Sequence, residues 1–436
     1  MTARPKRPAP DLILRGGRLF DPASGIDDNG DVRIVAGRIV EVGEGLDPCG
    51  AEVIELEGAL LTPGLVDVHV HLREPGGEAK ETIATGVAAA AAGGFTSVCP
   101  MPNTDPVVDS PELVELVCDR ARSVGLARVF PIAAATVGSR GDTPTDAARL
   151  KAAGAVALSD DGLPIATADV LARVLEGARA AGLVVADHCE DRGLAAGGAV
   201  RAGTVADKLG VRGVPAEAES DAVARDLEVL ARTGGRLHLC HLSTAESVDL
   251  VRRAKEKGLA VTCEVTPHHL IATADMLYDE GPQAKMNPPL GDSADRLALR
   301  LALADGTIDC IATDHAPHTA EEKARGLADA PFGVVGLEIA FPLLFTELVE
   351  GGVLSLDVLV DRLSEGPARA FGLECARLVP ESRADLAVFD LETPWAIDVN
   401  HFHSKGRNTP FDGWPVHGRP MLTILGGRVV HDARER

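Results

Sequence analysis

The middle of the chain alternates short apolar or β-branched runs with Ala-, Leu- and Arg-rich stretches of helical period, the signature of repeated βα units. About eight such runs can be counted, at 64–70, 97–101, 129–134, 155–159, 183–186, 236–240, 260–266 and 308–313. Eight parallel strands predict an α/β protein with a closed (β/α)8 barrel of the TIM type, with an open doubly wound sheet as the alternative. The polar residues favour the barrel. His69 and His71 end the first run, Asn103 follows the second, Asp160 and Asp161 the fourth, His188 the fifth, His241 the sixth, His268 and His269 the seventh and Asp314 the eighth. In a barrel all those ends converge on one mouth, where active sites of this fold are built.

The flanks have a different texture. Short β-like pieces at 12–14, 18–20, 31–35, 38–42 and 53–56 are separated by turns, and the style returns at 384–389 and 421–430, where Gly426-Gly427 marks a turn. The two ends are expected to pair into one small β-sandwich domain. The expected division is therefore 1–62 and 376–436 for the two parts of that domain and 63–375 for the barrel. The length of 436 residues suits this, since a barrel alone occupies about 250.

Charge and composition exclude some functions. A formal charge of −22 argues against general nucleic-acid binding, which needs a Lys/Arg surface. No run reaches the ~18 apolar residues of a membrane span, and the start lacks a signal-peptide core, so a soluble cytoplasmic protein is expected. Eight cysteines without CxxC spacing read as reduced thiols. Cys189 and Cys240 each adjoin a histidine of interest; on strands, the period of two points them away from that histidine's face.

His69 and His71 stand two apart at a strand end, so both imidazoles reach the same side and can approach one ion. Alone, such a pair is more often a solvated loop with two histidines. His188, His241 and Asp314 at later strand ends complete a set suited to zinc. Four imidazoles exceed the needs of one tetrahedral zinc, which points to two metals, and two neighbouring cations need a bridging anion. Asp160-Asp161 supplies a candidate, although Asp-Asp-Gly is also ordinary turn chemistry. Asp314 can be a ligand, a proton carrier or both. Arg73 and Asn103 offer a guanidinium fork and an amide suited to a carboxylate, against the alternatives of a surface ion pair with Glu74 or Glu78 and a plain turn residue. His318 is expected to face the substrate. His401, His403, His417 and His431 are given no chemistry.

The strings DVHVHLREPGGEAKET from Asp67, MPNTDPVVD from Met101, SDDGLPI from Ser159, HCED from His188, CHLST from Cys240, EVTPHHL from Glu264, KMNPPL from Lys285, TIDCIATDHAPHT from Thr307 and APFGVVGLE from Ala330 occur in this order. In these the chain resembles the bacterial class I dihydroorotases of the amidohydrolase superfamily, over nearly its whole length. The resemblance implies two Zn2+ ions per subunit, one held by His69, His71, Asp161 and Asp314, the other by Asp161, His188 and His241, with Asp161 as the bridge. It implies no carboxylated lysine. Asp314 is then the catalytic proton carrier, and the substrate contacts are His71, Leu72, Arg73, Asn103, Asn287, His318, Phe332 and Gly333. The implied reaction interconverts N-carbamoyl-L-aspartate and (S)-dihydroorotate, the third step of pyrimidine synthesis. The implied partners are this small-molecule substrate, a second copy in a homodimer and aspartate transcarbamoylase. The rivals are another cyclic amidohydrolase (hydantoinase, dihydropyrimidinase or allantoinase) and a non-catalytic partner of aspartate transcarbamoylase. Dihydropyrimidinases resemble one another in a mouth tyrosine, and the only tyrosine here, Tyr278, does not match that place.

Overall fold

The computed structural model describes residues 10–434. The first nine residues, part of the segment read above for a signal peptide, and the last two lie outside it. Eight parallel strand positions form the barrel: β1 (Leu65–Val70), β2 (Phe95–Pro100), β3 (Arg128–Val129 and Ile132–Ala134), β4 (Ala157–Ser159), β5 (Val184–Asp187), β6 (Leu237–Leu239), β7 (Val261–Val265) and β8 (Cys310–Ile311). Each pairs with its sequence neighbour, and the ring closes where Val70 bridges His315 and the His71 N–H donates to the His315 carbonyl at 2.9 Å. The open-sheet alternative is thereby excluded.

The expected single run at 129–134 is two pieces. Pro131 has no N–H to give a ladder, and the strand changes partner there: Arg128–Val129 pairs with β2, and Ile132–Ala134 with β4. The helices between strands follow from sequence in a regular way. In Ala168–Ala181, Thr167 caps the start by accepting from the Val170 N–H, and Gly182 at φ 69° ends it. Val170, Leu171, Val174, Leu175 and Ala178 recur at the spacing of one face and are buried against the barrel. Inside the barrel, Ala157, Val184, Ala186, Cys240, Cys310 and Ala312 belong to one apolar cluster that floors the mouth. No helix among the described residues is long and apolar enough to cross a membrane.

Both chain ends do enter one eight-stranded sheet. Leu386–Asp390 runs antiparallel to Leu60–Pro63, joining the C-terminal strands Arg419–Leu425 and Arg428–Asp432 to the N-terminal Leu12–Asp21, Ile26–Val35 and Arg38–Gly43, with Glu52–Glu55 at the side of Leu12–Asp21. The pieces expected at 12–14 and 18–20 are one strand. Gly16 and Gly17 form a bulge within it instead of a turn, Gly16 taking φ 66°. The sheet is tied to the barrel by Phe389, whose ring stacks on Phe341 at 3.8 Å and fills the space beside Gly94. Phe389→Ala should therefore destabilise the protein by about 3–5 kcal/mol, the usual cost of truncating a fully buried aromatic. Denaturant unfolding measures it.

Candidate metal centre

Asp161 sits among four imidazoles. Its Oδ1 is 3.4 Å from His69 Nε2, 3.6 Å from His188 Nδ1 and 3.7 Å from His241 Nε2, and its Oδ2 is 3.6 Å from His71 Nε2. Asp314 Oδ1 lies 2.9 Å from His71 Nε2 and 3.5 Å from His69 Nε2. His188 Nδ1 and His241 Nε2 approach to 2.9 Å. All six residues are buried, and they form two triads, His69-His71-Asp314 and Asp161-His188-His241. The neighbouring Asp160 is excluded from the cluster, because its carboxylate accepts from the Thr136 N–H at 3.0 Å and hydroxyl at 2.5 Å.

The outer atoms of the His-x-His pair explain how it is aimed. His69 Nδ1 gives its proton to Glu264 Oε1 at 2.6 Å, and His71 Nδ1 gives its proton to Asn103 Oδ1 at 3.0 Å. With a metal ion bound, each ring would be neutral with its single N–H on Nδ1, and both Nε2 lone pairs would then be free to ligate the ion. Glu264 also accepts from His238 Nε2 at 3.0 Å and from the His241 backbone N–H at 3.2 Å. Burial raises this carboxyl's pKa, but His69 and His238 overcome that and hold it at about 2. Glu264 was named above only as the start of a matching string, without a role. The usable signal was an acidic residue in the middle of an otherwise apolar strand, VTCEV.

Three site residues hold left-handed backbone without being glycine: Arg73 (φ 58°), His241 (φ 31°) and Asp314 (φ 47°). Such conformations are uncommon and cluster where function needs a side chain re-aimed. At His241 this corrects the expectation for Cys240. The period of two does not continue past β6, and Cys240 Sγ joins His69 and Asp161 in one group on the inner side, while His241 also reaches Asp161. Cys189 behaves as expected, its sulfur lying 3.5 Å from Asp226 Oδ2, away from the mouth.

The donor set fits metal ions. Donors about 2.0–2.1 Å from one tetrahedral zinc lie about 3.4 Å from each other, and the distances above bracket that value. His69 Nε2 and Asp161 Oδ1 are buried without a hydrogen-bond partner, as atoms reserved for a cation would be. The charges in the cluster support one another: burial works to lower the His188 pKa, yet Asp161 and Glu190 hold it up at about 10, and Asp161 stays well below the carboxylate range despite its burial because of His69, His188 and His241.

Above the cluster opens a cavity of about 190 Å³ lined by His71, Arg73, Asn103, Asn287, His318, Phe332 and Gly333 together with Asp161, His188, His241 and Asp314. Arg73 does not pair with Glu74 or Glu78; its Nε donates to the Pro317 carbonyl at 3.3 Å. Glu74 is engaged by Arg120 and the Ile83 N–H instead. His318 gives Nε2–H to the Phe332 carbonyl at 2.8 Å, and burial followed by Arg73 lowers its pKa to about 3, so it is a neutral ring. Gly333, at φ 128°, leaves no space for a side chain against Ala316 and His318. Of the expected substrate contacts, Leu72 is the one whose side chain is not brought to this cavity; it is buried in the core beside Gly86. Tyr278 is exposed beside Lys208, away from the cavity. His269 is occupied by Thr266 and the Pro288 carbonyl.

A (β/α)8 barrel with a β domain from both chain ends is the fold this chain shares with cyclic-amide hydrolases of known structure. L-Hydantoinase (dihydropyrimidinase) from Arthrobacter aurescens superposes with a TM-score of 0.86 at 26% identity, covering 97% of this chain and 96% of that one. Dihydropyrimidinase from Brevibacillus agri gives 0.84 at 25%, covering 96% and 94%. In sequence, a family model described as dihydro-orotase-like matches residues 58–247. The dihydroorotase of Geobacillus sp. (strain WCH70) is 48% identical over 420 residues, 96% of this chain and 98% of its own, and that of Anaeromyxobacter sp. (strain K) is 49% identical over 424 residues, 97% and 98%. The chain belongs to the dihydroorotase family.

Replacing Glu264 by Gln keeps the shape but removes the charge that orients His69. Affinity for zinc, measured by chelator competition, should fall about 10- to 100-fold, the range typical for loss of an orienting partner. Asp161→Asn, which alters the carboxylate flanked by all four imidazoles, should bring metal content after dialysis close to zero.

Proposed function

We propose that this chain is a two-zinc dihydroorotase, catalysing the reversible closure of N-carbamoyl-L-aspartate to (S)-dihydroorotate and water in pyrimidine synthesis. The observation that carries the choice of substrate is Arg73. Its side chain is partly buried, lines the cavity beside both triads and has no carboxylate partner within ion-pair distance among the described residues. A partly buried guanidinium held by a carbonyl and by no carboxylate calls for an anionic ligand group. The hydantoinase reading lacks a use for it.

One triad, His69, His71 and Asp314, would hold one zinc, and Asp161, His188 and His241 the other, with Asp161 shared. Bound there, the ions would polarise the amide carbonyl and acidify a water. Asp314 is held ionised by His71 and His69 against the effect of burial, so it starts as a base. It takes a proton from the attacking water and returns it to the departing ring nitrogen; in the closing direction it takes the proton from the attacking carbamoyl nitrogen and passes it to the hydroxyl leaving the protonated carboxyl group, which departs as water. Because His71 takes Asn103 Oδ1, the amide's NH2 is left to the cavity, where it donates to the substrate carboxylate alongside Arg73. Asn287 lines the opposite wall, and the Phe332-Gly333 backbone, held by His318, forms the rim. Family kinship further supports a cytoplasmic homodimer able to associate with aspartate transcarbamoylase.

Purified protein should turn over dihydroorotate and leave hydantoin, dihydrouracil and allantoin untouched; the opposite pattern would sink the assignment. Asp314→Asn should lose at least about 10³-fold in kcat with the fold retained. Arg73→Met should raise KM for dihydroorotate by about 10²-fold, the loss of a charged hydrogen-bonded contact.

A further inference from the structure

Asn287 is carried by a segment with unusual supports. Pro288 and Pro289 follow it, and proline has no N–H, so this stretch offers only carbonyl oxygens as backbone handles. Both are taken by buried side chains. His269 Nε2 donates to the Pro288 carbonyl at 2.9 Å, and Arg201 Nη2 donates to the Pro289 carbonyl at 3.2 Å. Arg201 is remote from the cavity lining, buried, and comes from a two-stranded excursion, Val200–Arg201 paired with Gly213–Val214, between β5 and β6.

The same Nη2 donates to Ser243 Oγ at 2.5 Å, and that hydroxyl passes its own proton to Glu219. Glu219, on the helix Glu217–Thr233, is buried and accepts from the backbone N–H groups of Ser243 and Thr244 at 3.0 and 3.1 Å, the second and third residues after His241. A buried guanidinium and a buried carboxylate, each costly to desolvate alone, thus join two loops. One follows His241. The other holds Asn287, whose amide nitrogen lies 3.0 Å from both His188 Nε2 and Glu190 Oε2.

We propose that Arg201 and Glu219 are positioning residues for substrate binding: a buried strut that sets Asn287 over the cavity relative to His188 and His241. Neither touches the substrate. The strut acts through the Pro289 carbonyl at one end and the Ser243-Thr244 amides at the other. Its loss lets the Asn287 wall drift while both metal triads, built on other strand ends, stay in place. Displacements of about 1 Å at a contact of this kind are enough to change binding by tenfold or more.

The inference rests on Asn287 contacting the substrate, and the test separates the two. Steady-state kinetics on dihydroorotate, with metal content measured on each sample, are compared for the wild type, Arg201→Met, Arg201→Lys, Asn287→Ala and the double variant R201M/N287A. Arg201→Met should raise KM about tenfold while kcat per metal-loaded site stays within about twofold, and Arg201→Lys should recover most of the loss. In the N287A background the R201M change should add nothing further, since both act on one contact. A purely structural role predicts the reverse, fewer active molecules with KM unchanged, and that result overturns the proposal. Should R201M not fold, Ser243→Ala removes only the relay hydroxyl: a KM rise of about threefold supports the strut, and an unchanged KM rejects it. An unchanged KM in N287A alone removes Asn287 as a contact and the strut's purpose with it; a raised KM there with R201M at the wild-type value removes only the strut.

Discussion

The dominant constraint at the mouth of this barrel is the burial of Asp161. A carboxylate taken out of water is costly unless it is paired, and here the partners are four imidazoles from three different strand ends. None of these pairings is close enough to satisfy Oδ1 by a hydrogen bond. The arrangement reads as a frame for cations, in which three of the four imidazoles have a proton or lone pair directed by a second partner: Glu264 for His69, Asn103 for His71, and Glu190 with Asn287 around His188. These outer contacts convert a cluster of polar side chains into one with a defined protonation pattern.

Much of this was legible in the chain. The eight runs, the strand ends that bear His69, His71, Asp161, His188, His241 and Asp314, and the pairing of the two flanks follow from periodicity and from the position of polar residues after apolar runs. What escaped had a physical cause in each case. The break at Pro131 needed knowledge of which neighbour each half would pair with, which only barrel closure determines. The Gly16-Gly17 bulge resembles a turn because glycine serves both equally well. Cys240 was placed on the wrong side because alternation was carried one residue past the strand, where His241 has already left extended backbone. Leu72 followed from the resemblance as part of a segment, and a segment at a strand end sends alternate side chains to opposite sides.

The outer contacts were the least legible. Glu264, Arg201 and Glu219 lie in no short motif with the residues they serve, and the partners of Glu264 alone are 23 to 195 positions away. A buried acid or base in an apolar context signals that a partner exists without saying which one. Only the fold supplies that.

A net charge of −22 beside an anionic substrate is then less of a paradox. Long-range repulsion from exposed carboxylates is screened within about 10 Å at ordinary ionic strength. The cavity sees a different field. Arg73 is partly buried there and lacks a carboxylate of its own, and two divalent ions would add four positive charges against the two carboxylates Asp161 and Asp314. With the ions bound, the mouth would be a cationic well inside an acidic protein. Removing them would leave those carboxylates against Arg73 and a protonated His188, so metal occupancy and affinity for a dianionic substrate should be coupled even where the metals touch only the amide. Arg73 alone can orient the carboxylate, but it takes the whole local charge balance to admit it.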